Sequence, residues 1–361
     1  MRNDLRYVLF CFVVIFAFAA AGLRAQQLSV RQGDFVAHDF RFKSGETLPT
    51  LRLHYRTLGK PIRDSQGRVT NAVLILHSTG SSGRQFLQPE FAGVLFGPGQ
   101  ILDTSRTYII LPDDVGHGGS SKPSGGLRMR FPHYDYADMV AAQHLLVTKG
   151  LGVNHLRLVM GTSMGCMHTW LWGETYPNFV DALMPLACLT VPIAGRNLIW
   201  RKVVTDAIRS DPAWKAGEYT HEPQEGLRTA LGMFLIAVSS PLQMQMHYPT
   251  PAATDRFLEN YFNKRLPPVD ANDLLYQMDA SRDYDPSPEL SKIKAWVMHV
   301  NSADDFIDPP ELGIAQREIK KVKHGRFVLL PISNQTRGHA THTHAVAWKQ
   351  YLDELLKESA R

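Results

Sequence analysis

Cysteine is scarce, with 3 in 361 residues, so a small scaffold stapled by disulfides is excluded. Charge of one sign is missing too: 39 Lys and Arg stand against 34 Asp and Glu, a formal net charge of +5. The basic residues are scattered rather than clustered, which argues against a nucleic-acid partner. There is no tract of proline, glycine or glutamine and no internal repeat, so neither a disordered chain nor a solenoid fits. The apolar run at residues 7–21 is 15 residues long, short of the roughly 20 that span a bilayer.

That run has a different meaning. Arg2 and Arg6 precede it, and small residues lead to a plausible cut after Ala25. Residues 1–25 are expected to be a cleaved signal peptide that sends the protein out of the cytoplasm, to the periplasm or medium. No stable membrane insertion is expected after cleavage, and Cys11, inside the run, does not suit a lipoprotein. Loss of Arg2, Arg6, Arg24 and Asp4 would lower the formal charge from +5 to +3. The mature chain would keep Cys166 and Cys188, both in apolar stretches and expected as buried free thiols.

The length exceeds the usual domain of about 100 to 200 residues, which suits one large unit carrying an insertion. Alternating segments within residues 34–58, with Gly45 in the turn, predict an antiparallel opening. Short apolar runs at 73–76, 108–111, 156–160, 182–187, 295–300 and 327–330 predict six parallel strands buried on both faces. Helical patterns lie between several of them, as at 136–148, and another follows the last at 345–355. The expected fold is therefore α/β, with a mostly parallel central sheet flanked by helices. Residues 191–288 show no strand and carry helical periodicity at 199–208, 226–238 and 254–261. They are expected to form a helical lid between core segments 26–190 and 289–361. Met233, Phe234, Met244 and Met246 could line an acyl pocket there, although packing between lid helices explains them as well.

Gly161, Thr162, Ser163, Met164 and Gly165 follow a predicted strand and open a predicted helix, the context of a nucleophile elbow. A serine hydroxyl is too weakly acidic to attack unaided, so it requires a base and a carboxylate to orient that base. Asp304, Asp305 and Asp308 follow one strand, and His339, His342 and His344 follow the last, matching the order serine, acid, histidine. Asp305 is preferred as the acid because it lies early in its loop, ahead of Pro309 and Pro310; Asp304 is second and Asp308 third. His339 is preferred as the base because Gly338 lets the loop turn inward, with His342 the alternative. The oxyanion of a tetrahedral intermediate needs two backbone N–H donors. These are expected from Met164 and from Thr79, in the turn of His77, Ser78 and Gly80. No metal or organic cofactor is required by this chemistry.

With these residues in place, the chain resembles the homoserine O-acetyltransferase family of the α/β-hydrolase superfamily. Besides the elbow, the likeness rests on residues 71–77, on Phe131 and Pro132 ahead of Asp138, Val140 and Gln143, and on Tyr176 and Pro177. It continues through Ile208, Asp211 and Pro212 to residues 305–310. The resemblance implies Ser163, Asp305 and His339 as a catalytic triad, a helical lid and often a homodimer. Three departures bear on the reaction. Ala340 follows the histidine where those relatives carry an aspartate suited to the substrate amine, and Thr205 stands near the place of an arginine that could grip a carboxylate. Gly116, His117, Gly118, Gly119 and Ser120 look more like the turn of esterases and epoxide hydrolases, yet epoxide chemistry usually uses an aspartate nucleophile. An exported enzyme would also lack cytosolic acetyl-CoA. The expectation is a serine esterase acting on a small-molecule acyl substrate, with acyl transfer as the alternative. A catalytically silent binding protein is the reading from another class.

Overall fold

A computed structural model describes residues 28–360, so the expected signal peptide lies outside the described residues. Eight strands form one sheet: β1 (Arg31–Arg41), β2 (Thr47–Leu58), β3 (Ala72–Leu76), β4 (Tyr108–Pro112), β5 (Leu156–Thr162), β6 (Val180–Leu186), β7 (Trp296–Ser302) and β8 (Gly325–Leu330). Their order is β1-β2-β4-β3-β5-β6-β7-β8. The first two strands pair antiparallel through a turn in which Gly45 has a φ of 90°, and β2 meets β4 antiparallel. From β4 onward every pairing is parallel, as the six apolar runs predict. All residues of β3 and β4 are buried, because helices cover both faces. The edge strand β8 differs from expectation: it is only partly buried, and Arg326 turns outward to pair with Glu354 and Glu358.

The helices are α1 (Ala92–Leu95), α2 (Tyr136–Leu145), α3 (Met164–Thr175), α4 (Gly195–Ser210), α5 (Gln224–Val238), α6 (Pro241–His247), α7 (Pro251–Arg265), α8 (Ala271–Asp279), α9 (Ile314–Glu318) and α10 (Lys349–Glu358). Asp135 caps α2 in a reciprocal box with Asp138, and the helix runs on through a π-turn to Gly150. Two apolar clusters fill the spaces on either side of the sheet, one holding Trp170 and Trp172, the other Phe86, Phe91 and Trp348.

Between β6 and β7 no strand occurs among the described residues. Five helices, α4 to α8, occupy that span and pack around a separate cluster that includes Trp200, Val204, Leu227 and Leu275. Met233 and Phe234 pack against this cluster, whereas Met246 is exposed. No single helix among the described residues is long and apolar enough to cross a membrane.

One expectation is overturned. Cys166 and Cys188 are bonded to each other, with Cα atoms 5.8 Å apart. Both lie in apolar surroundings, as read from the sequence, but the third residue of α3 and the second residue after β6 converge beside the same strand ends. Sequence spacing alone does not reveal that convergence.

Candidate active site

The strand β5 runs out at Thr162 and α3 begins at Met164, which leaves Ser163 alone to make the turn. It does so with φ 54° and ψ −110°, a conformation that a side-chain-bearing residue rarely adopts. The turn is tight because its glycines permit close approach. A Cβ on Gly161 would lie 2.0 Å from the Gly165 carbonyl oxygen, and one on Gly165 would lie 2.0 Å from that of Leu76. The Ser163 N–H donates to the Leu186 carbonyl and the Gly165 N–H to that of His77, tying the bend to both neighbouring strand ends.

Ser163 Oγ lies 2.8 Å from His339 Nε2. On the other side of the ring, Nδ1 lies 2.9 Å from Asp305 Oδ2 and 3.1 Å from Oδ1. Asp305 is itself held by the N–H groups of Ile307 and Asp308, which donate to its Oδ1. The structure thus brings together the three residues singled out from the sequence. The alternatives fall elsewhere: Asp304 accepts from the Gly338 N–H and so shapes the histidine loop, while His342 packs edge-on against the His339 ring at 5.1 Å. Gly338 has φ 62°, and a Cβ there would meet the Ser239 carbonyl, so the inward turn of that loop does require glycine.

Electrostatics separate the two rings. Burial works against a charge on His339, but the Asp305 carboxylate and its hydrogen bond, with Asp308 behind them, outweigh it and raise the proton affinity. Burial and the neighbouring rings of His339 and His344 hold His342 well below the ordinary histidine range, so it stays neutral.

Thr79 and Met164 are the expected oxyanion donors. Met164 is the first residue of α3, where a backbone N–H has no intrahelical acceptor. The turn carrying Thr79 is braced against the nucleophile: Ser78 Oγ lies 3.0 Å from Thr162 Oγ1, and Gln85 Nε2 donates to both hydroxyls. Beneath it, His77 Nδ1 lies 2.9 Å from the Ser78 carbonyl, and His77 Nε2 accepts from the Asp114 N–H. Burial alone would protonate Asp114, but the His168 contact, the His77 ring and the Gln143 amide keep its carboxyl down at about 2. This buried network carries no motif and was not legible in the sequence.

One further group carries no sequence motif. Arg201, on α4, is buried; its Nε donates to Asn197 and its Nη1 to Ser281, and no carboxylate lies within 4.0 Å of it among the described residues. It stands four residues before Thr205, one turn back on the same helix face, and that spacing was the available signal. Its charge reaches His339, Asp308 and Tyr136. The buried Tyr136 hydroxyl has no hydrogen-bond partner among the described residues and faces Ser281, Thr79 and Arg201. Asp308, the third choice for the acid, is buried with Oδ2 3.6 Å from His339 Nδ1. Cys166, Cys188 and His299 also cluster, but both sulfurs are committed to the disulfide, so no thiolate is left to bind a metal.

Comparisons with known proteins give the family and the fold. The family described as alpha/beta hydrolase fold matches residues 71–316. A homoserine O-acetyltransferase of Moorella thermoacetica is 30% identical over 310 residues, covering 74% of this chain and 80% of the relative. Among solved structures, homoserine O-acetyltransferase from Bacillus anthracis superposes with a TM-score of 0.79 at 22% identity, over 91% of this chain and 98% of that one. An acetylester hydrolase from Corynebacterium glutamicum superposes with a TM-score of 0.78 at 20% identity, over 91% and 96%. The chain belongs to the α/β-hydrolase family, within it to the group resembling homoserine O-acetyltransferases, and is an enzyme of the hydrolase or acyltransferase kind.

Proposed function

We propose that the protein is an exported acyltransferase that holds an acyl group as an ester on Ser163 and passes it to the hydroxyl of a small, carboxylate-bearing acceptor. His339 Nε2 takes the Ser163 proton as Oγ attacks the donor carbonyl, then returns it to the departing alcohol. The acceptor hydroxyl then attacks the acyl-enzyme, giving its proton to the same nitrogen, and Ser163 leaves with that proton. Asp305 steadies the imidazolium, and the N–H groups of Met164 and Thr79 receive the oxyanion. One observation carries the choice of transfer over plain hydrolysis: Arg201 is a buried guanidinium whose charge reaches His339, and no carboxylate lies within 4.0 Å of it among the described residues. A buried cation is costly unless paired, and a substrate carboxylate would pair it. The curated relatives named homoserine O-acetyltransferase favour the same reading. The disulfide supports export, because such bonds persist in oxidising compartments.

Hydrolysis is the second reading, favoured by Ala340, whose methyl group beside His339 cannot hold an ammonium group. An exported enzyme would also draw its acyl group from an ester at hand rather than from acetyl-CoA. The deciding experiment follows p-nitrophenyl acetate turnover with and without homoserine or another hydroxy acid. Acceleration by the acceptor, with acylated acceptor as product, is expected, and Arg201→Met should raise the acceptor KM by about ten- to a hundredfold. Acyl groups delivered wholly to water, with no response to any hydroxy acid, would sink the transferase reading and leave the esterase.

A further inference from the structure

Asp308 is an anomaly among the acidic side chains of the site. It is 1% exposed, and neither carboxylate oxygen has a hydrogen-bond partner among the described residues. Buried polar atoms are nearly always satisfied, so an orphaned carboxylate calls for a cause. Its position is specific: Oδ2 lies 3.6 Å from His339 Nδ1, the nitrogen that Asp305 already engages at 2.9 Å. The backbone fixes it there. Asp308 donates its N–H to Asp305 Oδ1, and its carbonyl accepts from the Asn301 side chain at the end of β7.

We propose that Asp308 is a positioning carboxylate that acts through His339, adding a second negative charge behind the imidazole when ionised and so setting the pH at which the base is free. The proposal rests on His339 serving as the base for Ser163. Burial, and then the Asp305 carboxylate, push the Asp308 carboxyl up to about 7, into the range where enzymes of this chemistry work. The groups around it come from several elements. Asp305 shares its loop, His339 faces it from the histidine loop, Arg201 from α4, and the Tyr284 hydroxyl from the segment before β7. Arg196 and Glu311 line, with Asp308, a cavity of about 490 Å³. At low pH Asp308 is neutral and only Asp305 stabilises the imidazolium. As pH rises Asp308 ionises, and its charge holds a proton on His339 to higher pH than Asp305 alone would.

The sign is therefore fixed. Asp308→Asn removes the second charge, so the acid limb of the kcat/KM profile should move to lower pH, by about one unit, with little change in KM. A purely structural role would lower the melting temperature or scale the rate at all pH values without moving the limb. A limb that coincides with wild type in a folded Asp308→Asn protein would overturn the proposal. Should that variant lose activity for other reasons, nitrogen-15 NMR titration of the His339 ring in Ser163→Ala, with and without Asp308→Asn, reads the same shift without turnover. An unchanged ring titration there would equally overturn it. Failure of the triad itself is distinguishable, because Ser163→Ala would then keep the wild-type activity.

Discussion

The sheet and the helical insertion are built to different tolerances. In the sheet, β3 and β4 expose nothing, the elbow glycines leave no room for a methyl group, and a disulfide joins α3 to the chain after β6. In the insertion, α7 buries only Phe262 among its residues, and Leu198, Ile199 and Val203 of α4 are exposed. The proposed triad comes from the first region: Ser163, Asp305 and His339 all stand at strand ends or in loops anchored to them. The second contributes Arg201, which touches no reacting atom. This is the division expected when one part must hold a geometry within fractions of an ångström and the other must admit and select a substrate.

The largest effect should follow from breaking the rigid half at its chemical centre. Ser163→Ala removes the nucleophile and should lower kcat by about 10⁵-fold, while thermal stability stays close to wild type. Labelling by a fluorophosphonate probe, present in wild type and absent in the variant, checks the chemistry. Residual turnover within tenfold of wild type would mean that another nucleophile does the work.

A second test asks whether the disulfide belongs to the rigid half alone. It closes a loop with a sequence separation of 22, so Cys166→Ala with Cys188→Ala should cost about 3 kcal/mol of unfolding free energy by the loop-entropy account. Urea melts of wild type and the double variant measure this, and hydrogen exchange within α5 and α7 should be unchanged. Equal midpoints would show that the surrounding core, with Trp170 packed nearby, already supplies the constraint.

The two halves were also unequally legible. Six parallel strands could be read because burial on both faces demands unbroken apolar runs, and the elbow because only one residue order satisfies its sterics. Asp305 and His339 followed from strand ends. The misses share a cause: Arg201, the Asp114 network and the cysteine pairing all depend on which distant segments meet, and that depends on tertiary packing rather than local pattern. Thr205 shows the limit most clearly. It carries no charge, but a helix places residue 201 on the same face one turn away, where the cation stands. The insertion suffers most because its helices are partly apolar on exposed faces, so periodicity reveals the elements but not their partners.

The smallest expected effect concerns pH, where the halves should respond with opposite sign. In the core, burial holds His117 at about 3 and His299 at about 4, below the ordinary histidine value. The unfolded chain then binds protons that the folded core refuses. The stability from keeping these rings neutral is complete above about pH 6.5 and is lost as pH falls toward the folded values. In the insertion, Glu222 accepts from the Ala271 N–H at 3.0 Å, and burial, reinforced by Asp270 and Asp273, raises its carboxyl to about 7. Here the folded state keeps a proton that the unfolded chain has already released, so its contribution is complete below about 4.5 and is lost as pH rises through about 7. Between about pH 5 and about pH 8, hydrogen exchange corrected for its intrinsic rate should show the core tightening while residues around Glu222 and Ala271 loosen. Glu222→Gln should flatten the second trend and leave the first intact, because the carboxyl that releases its proton near pH 7 is gone. If both regions tighten together, Glu222 is ionised throughout and the insertion is as firmly seated as the sheet beneath it.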